Sequence, residues 1–222
     1  MRRWLVRGRS AIGIDEVDAN RLFVDGFRPE DDHLDAARGR GDEIGTLSVS
    51  PATGATLCWL AELINARTVA EVGTGAGVSG LWLLRGMVPD GVLTTVDDEA
   101  ENTRAARQTF ADAGIPPQRV RLITGHPAEV LSRLADGAYD MVFFDGNPQE
   151  SSRYFDEGLR LLRAGGLMVF NGALLGGRVA DPSQRDAPTI AIRTLVNATR
   201  DDERIRPLLV PVGDGVLVAQ KR

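Results

Sequence analysis

A short apolar run, Thr68-Val69-Ala70-Glu71-Val72, breaks into Gly73-Thr74-Gly75-Ala76-Gly77, and a helical pattern, Val78-Ser79-Gly80-Leu81-Trp82-Leu83-Leu84, follows at once. A second run, Val92-Leu93-Thr94-Thr95-Val96, ends on an acid, Asp97. Strand, glycine loop, helix, strand and terminal acid make up the unit that binds a nucleoside-bearing ligand. The glycines let the backbone approach that ligand, and free N–H groups at the helix start face it. Asp97, at the tip of the second strand, can accept hydrogen bonds from both hydroxyls of a ribose. A unit of this kind commits the chain to an α/β fold with a mostly parallel sheet.

The spacing of the glycines narrows the ligand. The dinucleotide form of the loop reads G-x-G-x-x-G, and its third glycine would fall at position 78, which is Val78. Here the loop reads G-x-G-x-G, with Glu71 two residues before the first glycine. An acid at that strand end repels a pyrophosphate and favours an ammonium group. The loop therefore suits S-adenosylmethionine (SAM), whose amino-acid end carries an amine, better than NAD.

Composition closes off other chemistries. A chain of 222 residues is long enough for one domain with a full core. We read residues 1–222 as a single domain, with 1–47 as a helical and loop extension and 48–222 as the cofactor-binding core. The net charge is −5, and Arg2, Arg3, Arg7 and Arg9 all sit in the first ten residues, so the body is more acidic still. An acidic body lacks the basic stripe that a nucleic-acid partner requires. The basic tip reads as a solvated terminus. No apolar stretch is long enough to insert in a membrane, and a cytoplasmic protein is expected. Cys58 is the only cysteine, which excludes an intramolecular disulfide and a cysteine-based zinc site. It falls on an apolar helix face and reads as core. His33 and His126 are the only histidines, and the sole lysine, Lys221, stands next to the C-terminus. A core lysine acting as base or Schiff-base former is thereby excluded.

Residues 10–45 are polar and acidic and read as one or two surface helices. Ser50 and Pro51 open a helix through Leu63 as cap and first helical residue. From Thr68 the pattern alternates. Strands are expected at 68–73, 92–97, 119–124, 139–145 and 167–171, and helices at 77–88, 99–114, 127–136, 150–163 and 188–200. The runs 206–212 and 216–219 flank Gly213-Asp214-Gly215 and read as a hairpin.

With these elements in place the sequence resembles the class I SAM-dependent O-methyltransferases of the catechol and caffeoyl-CoA type (family 3). The resemblance runs from about Ser48 to Gln220. It is carried by Ala70 to Ser79, by Tyr139-Asp140-Met141-Val142-Phe143-Phe144-Asp145, by Leu161 to Leu167 and by Val212-Gly213-Asp214-Gly215. It implies a Rossmann-like fold: a seven-stranded, mostly parallel sheet closed by an antiparallel hairpin, with helices on both faces. It also implies a homodimer, for which the stretch Leu57 to Ile64 has apolar surface to spare.

The resemblance assigns a cofactor site position by position. Glu71, Gly73, Thr74, Gly75 and Ser79 match the surroundings of the methionine end of SAM. Asp97 matches the acid that holds the ribose. His126 and Pro127 match the loop beside the adenine, so His126 is expected to cover the purine rather than act as a base. Asp145 matches the acid at the end of the fourth strand, beside the cofactor, and is the one candidate for catalysis.

The same comparison shows where this chain departs from the pattern. The family reads D-A-D-K after the fourth strand, and this chain has Asp145-Gly146-Asn147-Pro148, without the lysine. The family then supplies an Asp-Asn pair as ligands of a divalent metal, and here the pair is Asn171-Gly172. Asp145, Asn171 and Gly172 form a degenerate metal site, because magnesium needs several oxygen ligands, usually anionic. Asp140 and Asp181 are the carboxylates that could rescue it, Asp181 the better placed. The function implied is SAM-dependent O-methylation of a small-molecule hydroxyl, independent of metal. Two alternatives stand beside it: a SAM-binding homologue with little turnover, and an NAD-dependent oxidoreductase. Residues 10–50 and 172–188 are expected to line the acceptor pocket, with Arg178, Asp181, Arg185 and Asp186 as possible polar contacts.

Overall fold

The computed structural model describes residues 14–222, with side chains from residue 19 onward. The arginine-rich first ten residues, and the side chains of Asp15, Glu16 and Asp18, lie outside the described residues. The elements follow in the order α1 (Ile14–Asp25), α2 (Asp32–Ile44), α3 (Pro51–Leu63), β1 (Thr68–Val72), α4 (Val78–Gly86), β2 (Val92–Asp97), α5 (Ala100–Asp112), β3 (Val120–Thr124), α6 (Pro127–Leu131), β4 (Tyr139–Phe144), α7 (Ser151–Leu161), β5 (Leu162–Phe170), α8 (Ala187–Asp201), β6 (Ile205–Val210) and β7 (Val216–Lys221).

The sheet has the order β3-β2-β1-β4-β5-β7-β6. β1 pairs in parallel with both β2 and β4, β3 and β5 extend these pairs in parallel, and β7 runs antiparallel between β5 and β6. The chain order reverses between β1 and β4. At such a switch point the crossovers leave in opposite directions, and a crevice opens beyond the carboxyl ends of the strands.

Side chains alternate across the sheet, so neighbouring residues of one strand enter different cores. Phe143 packs with Leu57, Leu81, Trp82 and Leu93 on one face. Phe144 packs with Val72, Tyr154, Phe155 and Leu159 on the other. Cys58 is buried in the first core, as its apolar face requires.

Several boundaries differ from the expected ones. The helix expected over 127–136 ends at Leu131. Arg160 reaches in from α7 and donates to the carbonyls of Leu131 and Leu134, and the Leu131 carbonyl also accepts from Leu134 N in the turn that closes the helix. The strand expected over 167–171 begins at Leu162. Tyr139 pairs with Leu162 and Met141 with Leu167, so the Gly165-Gly166 segment is a bulge within the strand rather than a turn before it. The acidic segment before residue 45 is more than surface. α2 buries Leu34, Ala37 and Gly41, and Glu30 accepts from the Trp82 indole nitrogen and from Arg38.

Candidate active site

Four backbone bonds stitch the strand exits together. Gly73 N donates to Val96 O at 2.9 Å, Gly125 N to Asp97 O at 2.9 Å, Asp145 N to Val72 O at 2.9 Å, and Asn171 N to Phe144 O at 3.0 Å. They continue the parallel ladders by one residue and bring Gly73, Asp97, Gly125, Asp145 and Asn171 to one edge. Gly73 has φ +90, and a Cβ there would lie 2.4 Å from the Asp145 carbonyl oxygen. Only glycine lets β1 and β4 leave the sheet side by side.

Asp97 is 6% exposed. Its Oδ2 accepts from Gly75 N at 2.9 Å, and its Oδ1 from Glu99 N at 3.0 Å and Asn102 Nδ2 at 3.1 Å. An ionised carboxylate has about four acceptor positions, so one remains beside the glycine loop after these three donors.

Glu71 is fully buried beneath the loop. It accepts from Ser79 Oγ at 2.7 Å and Thr95 Oγ1 at 2.6 Å, and Thr95 Oγ1 lies 2.7 Å from Thr74 Oγ1. Burial pushes its carboxyl up to about 7. The two hydroxyls pull the other way, while Asp145 and Asp97 add repulsion. Glu71, Thr74 and Ser79 therefore form a hydrogen-bonded layer under the site. None of the three borders the larger cavities described next.

Two cavities meet above that layer. One, of about 330 Å³, is bordered by Gly73, Gly75, Asp97, His126, Pro127 and Asp145. The other, of about 740 Å³, is bordered by Asp145, Ser151, Tyr154, Asn171, Arg178 and Asp214. Leu47, Asp145, Gly146, Asn147 and Tyr154 belong to both. Leu47 is 95% exposed at this seam, an apolar side chain left to solvent between two openings. Tyr154 stacks on Phe144 with ring centroids 5.2 Å apart and donates to Glu150 Oε2 at 2.5 Å. Burial, with the Glu150 hydrogen bond and charge, holds its phenol far above the ordinary range, so Tyr154 is a wall and not a base. His126 stands half-exposed with Nε2 3.7 Å from Glu150 Oε1.

The positions that would take a metal are occupied by a hydrogen bond. Asn171 Nδ2 donates to Asp145 Oδ1 at 2.9 Å. Desolvation pushes the Asp145 carboxyl up to about 6, opposed by that amide. An aspartate at 171 would face Asp145 with like charge and would call for a cation between them; an amide pairs with it directly. Gly172 has no side chain to offer. Asp140 is committed at the far end of β4 to Arg67 N, Thr68 N and Arg163 Nε. Asp181 accepts from Ser183 N, Ser183 Oγ and Gln184 Nε2 in its own loop. Among the described residues no group of three His, Cys, Asp or Glu side chains could hold a metal ion. One carboxylate and one amide that turns its N–H₂ to it do not fit a hard dication.

Of the loop residues flagged in the sequence, Arg178 borders the larger cavity. Asp186 instead caps α8 by accepting from Thr189 N at 3.0 Å. Leu47 falls in the 10–50 stretch expected to line the acceptor pocket and Asp214 in the Gly213-Asp214-Gly215 motif, whereas Glu150, Ser151 and Tyr154 border the cavities without having been singled out. They come from loops and helix starts, where no periodicity marks a wall. Ser151 Oγ is, among the described residues, the one buried side-chain polar atom without a hydrogen-bond partner.

A seven-stranded sheet of this order, with a glycine loop and a strand-end acid at the switch point, defines a class I methyltransferase. The family model described as O-methyltransferase matches residues 37–222. A Mycobacterium tuberculosis (strain H37Rv) protein bearing an O-methyltransferase name is 56% identical over 196 residues, 88% of each chain. Among solved structures, the O-methyltransferase TomG from Streptomyces achromogenes, involved in tomaymycin synthesis and solved in complex with SAM, superposes with a TM-score of 0.83 at 30% identity. That match covers 92% of this chain and 96% of TomG. A Corynebacterium glutamicum protein matches with a TM-score of 0.86 at 32% identity, over 92% of this chain and 96% of its own. The chain belongs to the O-methyltransferase family.

Proposed function

We propose that the protein methylates a hydroxyl of a small-molecule acceptor, with SAM in the smaller cavity, the acceptor in the larger one, and Asp145 as a base that works without a divalent cation. The observation that carries this reading is the position of Asp145 in the wall common to both cavities, paired with an amide. Gly73 and Gly75 allow close approach to the amino-acid end of the cofactor. Asp97 keeps an acceptor position for the ribose, and His126 and Pro127 flank the base. Glu71, Thr74 and Ser79 support the loop from below.

When bound, SAM supplies an electrophilic methyl group on its sulfonium. The chain contributes orientation across the seam, an effect worth roughly 7–11 kcal/mol in favourable cases. Asp145, raised to about 6, is mostly ionised at neutral pH and basic enough to accept a hydroxyl proton. Asn171 fixes the carboxylate while leaving Oδ2 without a hydrogen bond from it.

We also read the chain as one catalytic domain with an extension over residues 1–47, and the protein as a cytoplasmic homodimer. No helix among the described residues is long and apolar enough to cross a membrane. Trp59 and Leu63, one helical turn apart on α3, are 57% and 59% exposed and give a second copy an apolar face to cover.

Calorimetry with SAM and NAD, followed by methyl-transfer assays with and without EDTA, tests the reading. Binding of SAM but not NAD, and transfer that survives EDTA, are expected. Preference for NAD would discard the cofactor assignment. Activity lost in EDTA and restored by magnesium would discard the metal-free mechanism. SAM binding without transfer to any hydroxyl in a broad screen would favour the weakly active alternative, for which the altered residues 171 and 172 are the support.

A further inference from the structure

The acceptor cavity does not end at its own far wall. A further cavity of about 540 Å³ begins where it stops, and the two have Arg21, Gly176 and Asp214 in common. Beyond that gate the second cavity is walled by Val24 of α1, Ala52 of α3, Leu174, Pro211 and Val212. Asn20 and Asp25 of α1 border it as well, so polar groups line its α1 side, while the apolar side chains come from α1, α3, the loop after β5 and the β6–β7 turn.

Its walls are held by specific contacts. Asp25 Oδ1 accepts from Ala52 N at 3.1 Å, so the end of α1 is tied to the first turn of α3. On the opposite side the β6–β7 turn is clamped to the loop after β5. Ala173 N donates to Gly215 O and Leu174 N to Asp214 O, each at 2.9 Å, and Gly176 N donates to Asp214 Oδ1. A Cβ on Gly215 would lie 2.5 Å from Leu174 Cγ, and one on Gly213 would lie 2.3 Å from Thr53 Oγ1. The turn is therefore pressed against both neighbours, and the groove between it and α1 is preformed.

We propose that this groove is a second acceptor subsite, which takes an apolar tail of a substrate whose hydroxyl-bearing head lies beside Asp145. The inference rests on the assignment of the 740 Å³ cavity to the acceptor. Its substrate class is an amphiphile: a compact polar head joined to an alkyl or comparably apolar chain that passes between Arg21 and Asp214. The groove's continuity with the acceptor cavity singles out this occupant, since a chain leaving the head through that gate enters the groove directly. Val24, 46% exposed on the groove wall, is the side chain such a tail would cover.

The test uses the full chain saturated with S-adenosylhomocysteine and the methyl, butyl and octyl esters of 3,4-dihydroxybenzoate as probes, read by calorimetry. A buried methylene strengthens binding by about fourfold, so even partial burial should make the octyl ester bind at least tenfold more tightly than the methyl ester. Val24→Asp and, separately, Val212→Asp should each abolish most of that gain while leaving the affinities for S-adenosylhomocysteine and the methyl ester unchanged. Equal affinity along the series, or a gain that survives both substitutions, would overturn the subsite. Failure of the underlying acceptor assignment looks different, because the methyl ester, which needs only the head position, would then not bind although S-adenosylhomocysteine does, and the subsite would fall with it.

Discussion

Asp145 and Glu71 are both carboxyls raised by burial, yet they do different work. Asp145 opens onto two cavities and has a single amide partner, so its ionisation is available to a ligand. Asp145→Asn should lower methyl transfer by about 10²–10⁴-fold, the usual contribution of a general base, with SAM affinity preserved. Wild-type activity should rise with pH through about 6 as Asp145 ionises, and steady-state rates of the variant should lack that limb. Glu71 meets no cavity of useful size, and its consequence is for stability. Its folded value of about 7 lies above the ordinary 4.5, so the fold favours the neutral form. The stabilisation this gives is complete below pH about 4.5 and is lost as pH rises through about 7. The loss is on the order of 3 kcal/mol. Urea unfolding at pH 4.5 and pH 8 should show wild type losing that much stability relative to Glu71→Gln. A difference between the two proteins that does not change with pH would mean that Glu71 titrates as it does in the unfolded chain.

Helices α3 and α4 show how a single missing atom sets the distance between elements. A Cβ on Gly86 would lie 2.0 Å from the Cys58 carbonyl oxygen and 2.9 Å from its Cα. These are backbone atoms of α3 and cannot swing aside. Gly86→Ala should therefore force the two helices apart, at a cost of about 1–3 kcal/mol typical of overpacking. In a chain of this size that lowers the melting temperature by several degrees, which calorimetry or circular dichroism would read. An unchanged melting temperature would show that α3 can slide without loss. The crossing matters for the site because α3 is capped by Ser50, whose hydroxyl accepts from Thr53 N, and both residues border the larger cavity.

At the scale of the molecule, the exposed pair Trp59 and Leu63 belongs to a helix whose other face is fully committed. Leu57, Cys58, Leu60 and Ala61 are buried in the core, while the outward pair is left more than half exposed by the described residues. Light scattering at about 50 µM, where an interface of micromolar affinity is well populated, should give a dimer. The double variant Trp59→Asp, Leu63→Asp should give a monomer. A wild-type monomer at that concentration would reject the homodimer.

The order of strands and helices was legible because each local rule pointed the same way. Glycines fell between an apolar run and a helical pattern, an acid closed the second strand, and a Gly-Asp-Gly turn joined two apolar runs at the end. The departure at Asn171 from the pattern of the resembled family was also visible residue by residue. Other features were decided only by tertiary contact. Arg160 from α7 bonds the carbonyl at the early end of α6, and the pairing of Tyr139 with Leu162 drew the Gly165-Gly166 segment into β5. The sequence placed Glu71 and Asp97 alike at strand ends, and only the packing of Ser79 and Thr95 put Glu71 beneath the loop while Asp97 faced the cavity. The cavity walls made by Ser151 and Tyr154 had no signature, whereas Leu47 fell in the 10–50 stretch expected to line the pocket and Asp214 in the Gly-Asp-Gly turn. Periodicity records which face of an element meets the core, whereas a cavity is bounded by residues far apart in the chain whose meeting depends on how the elements pack.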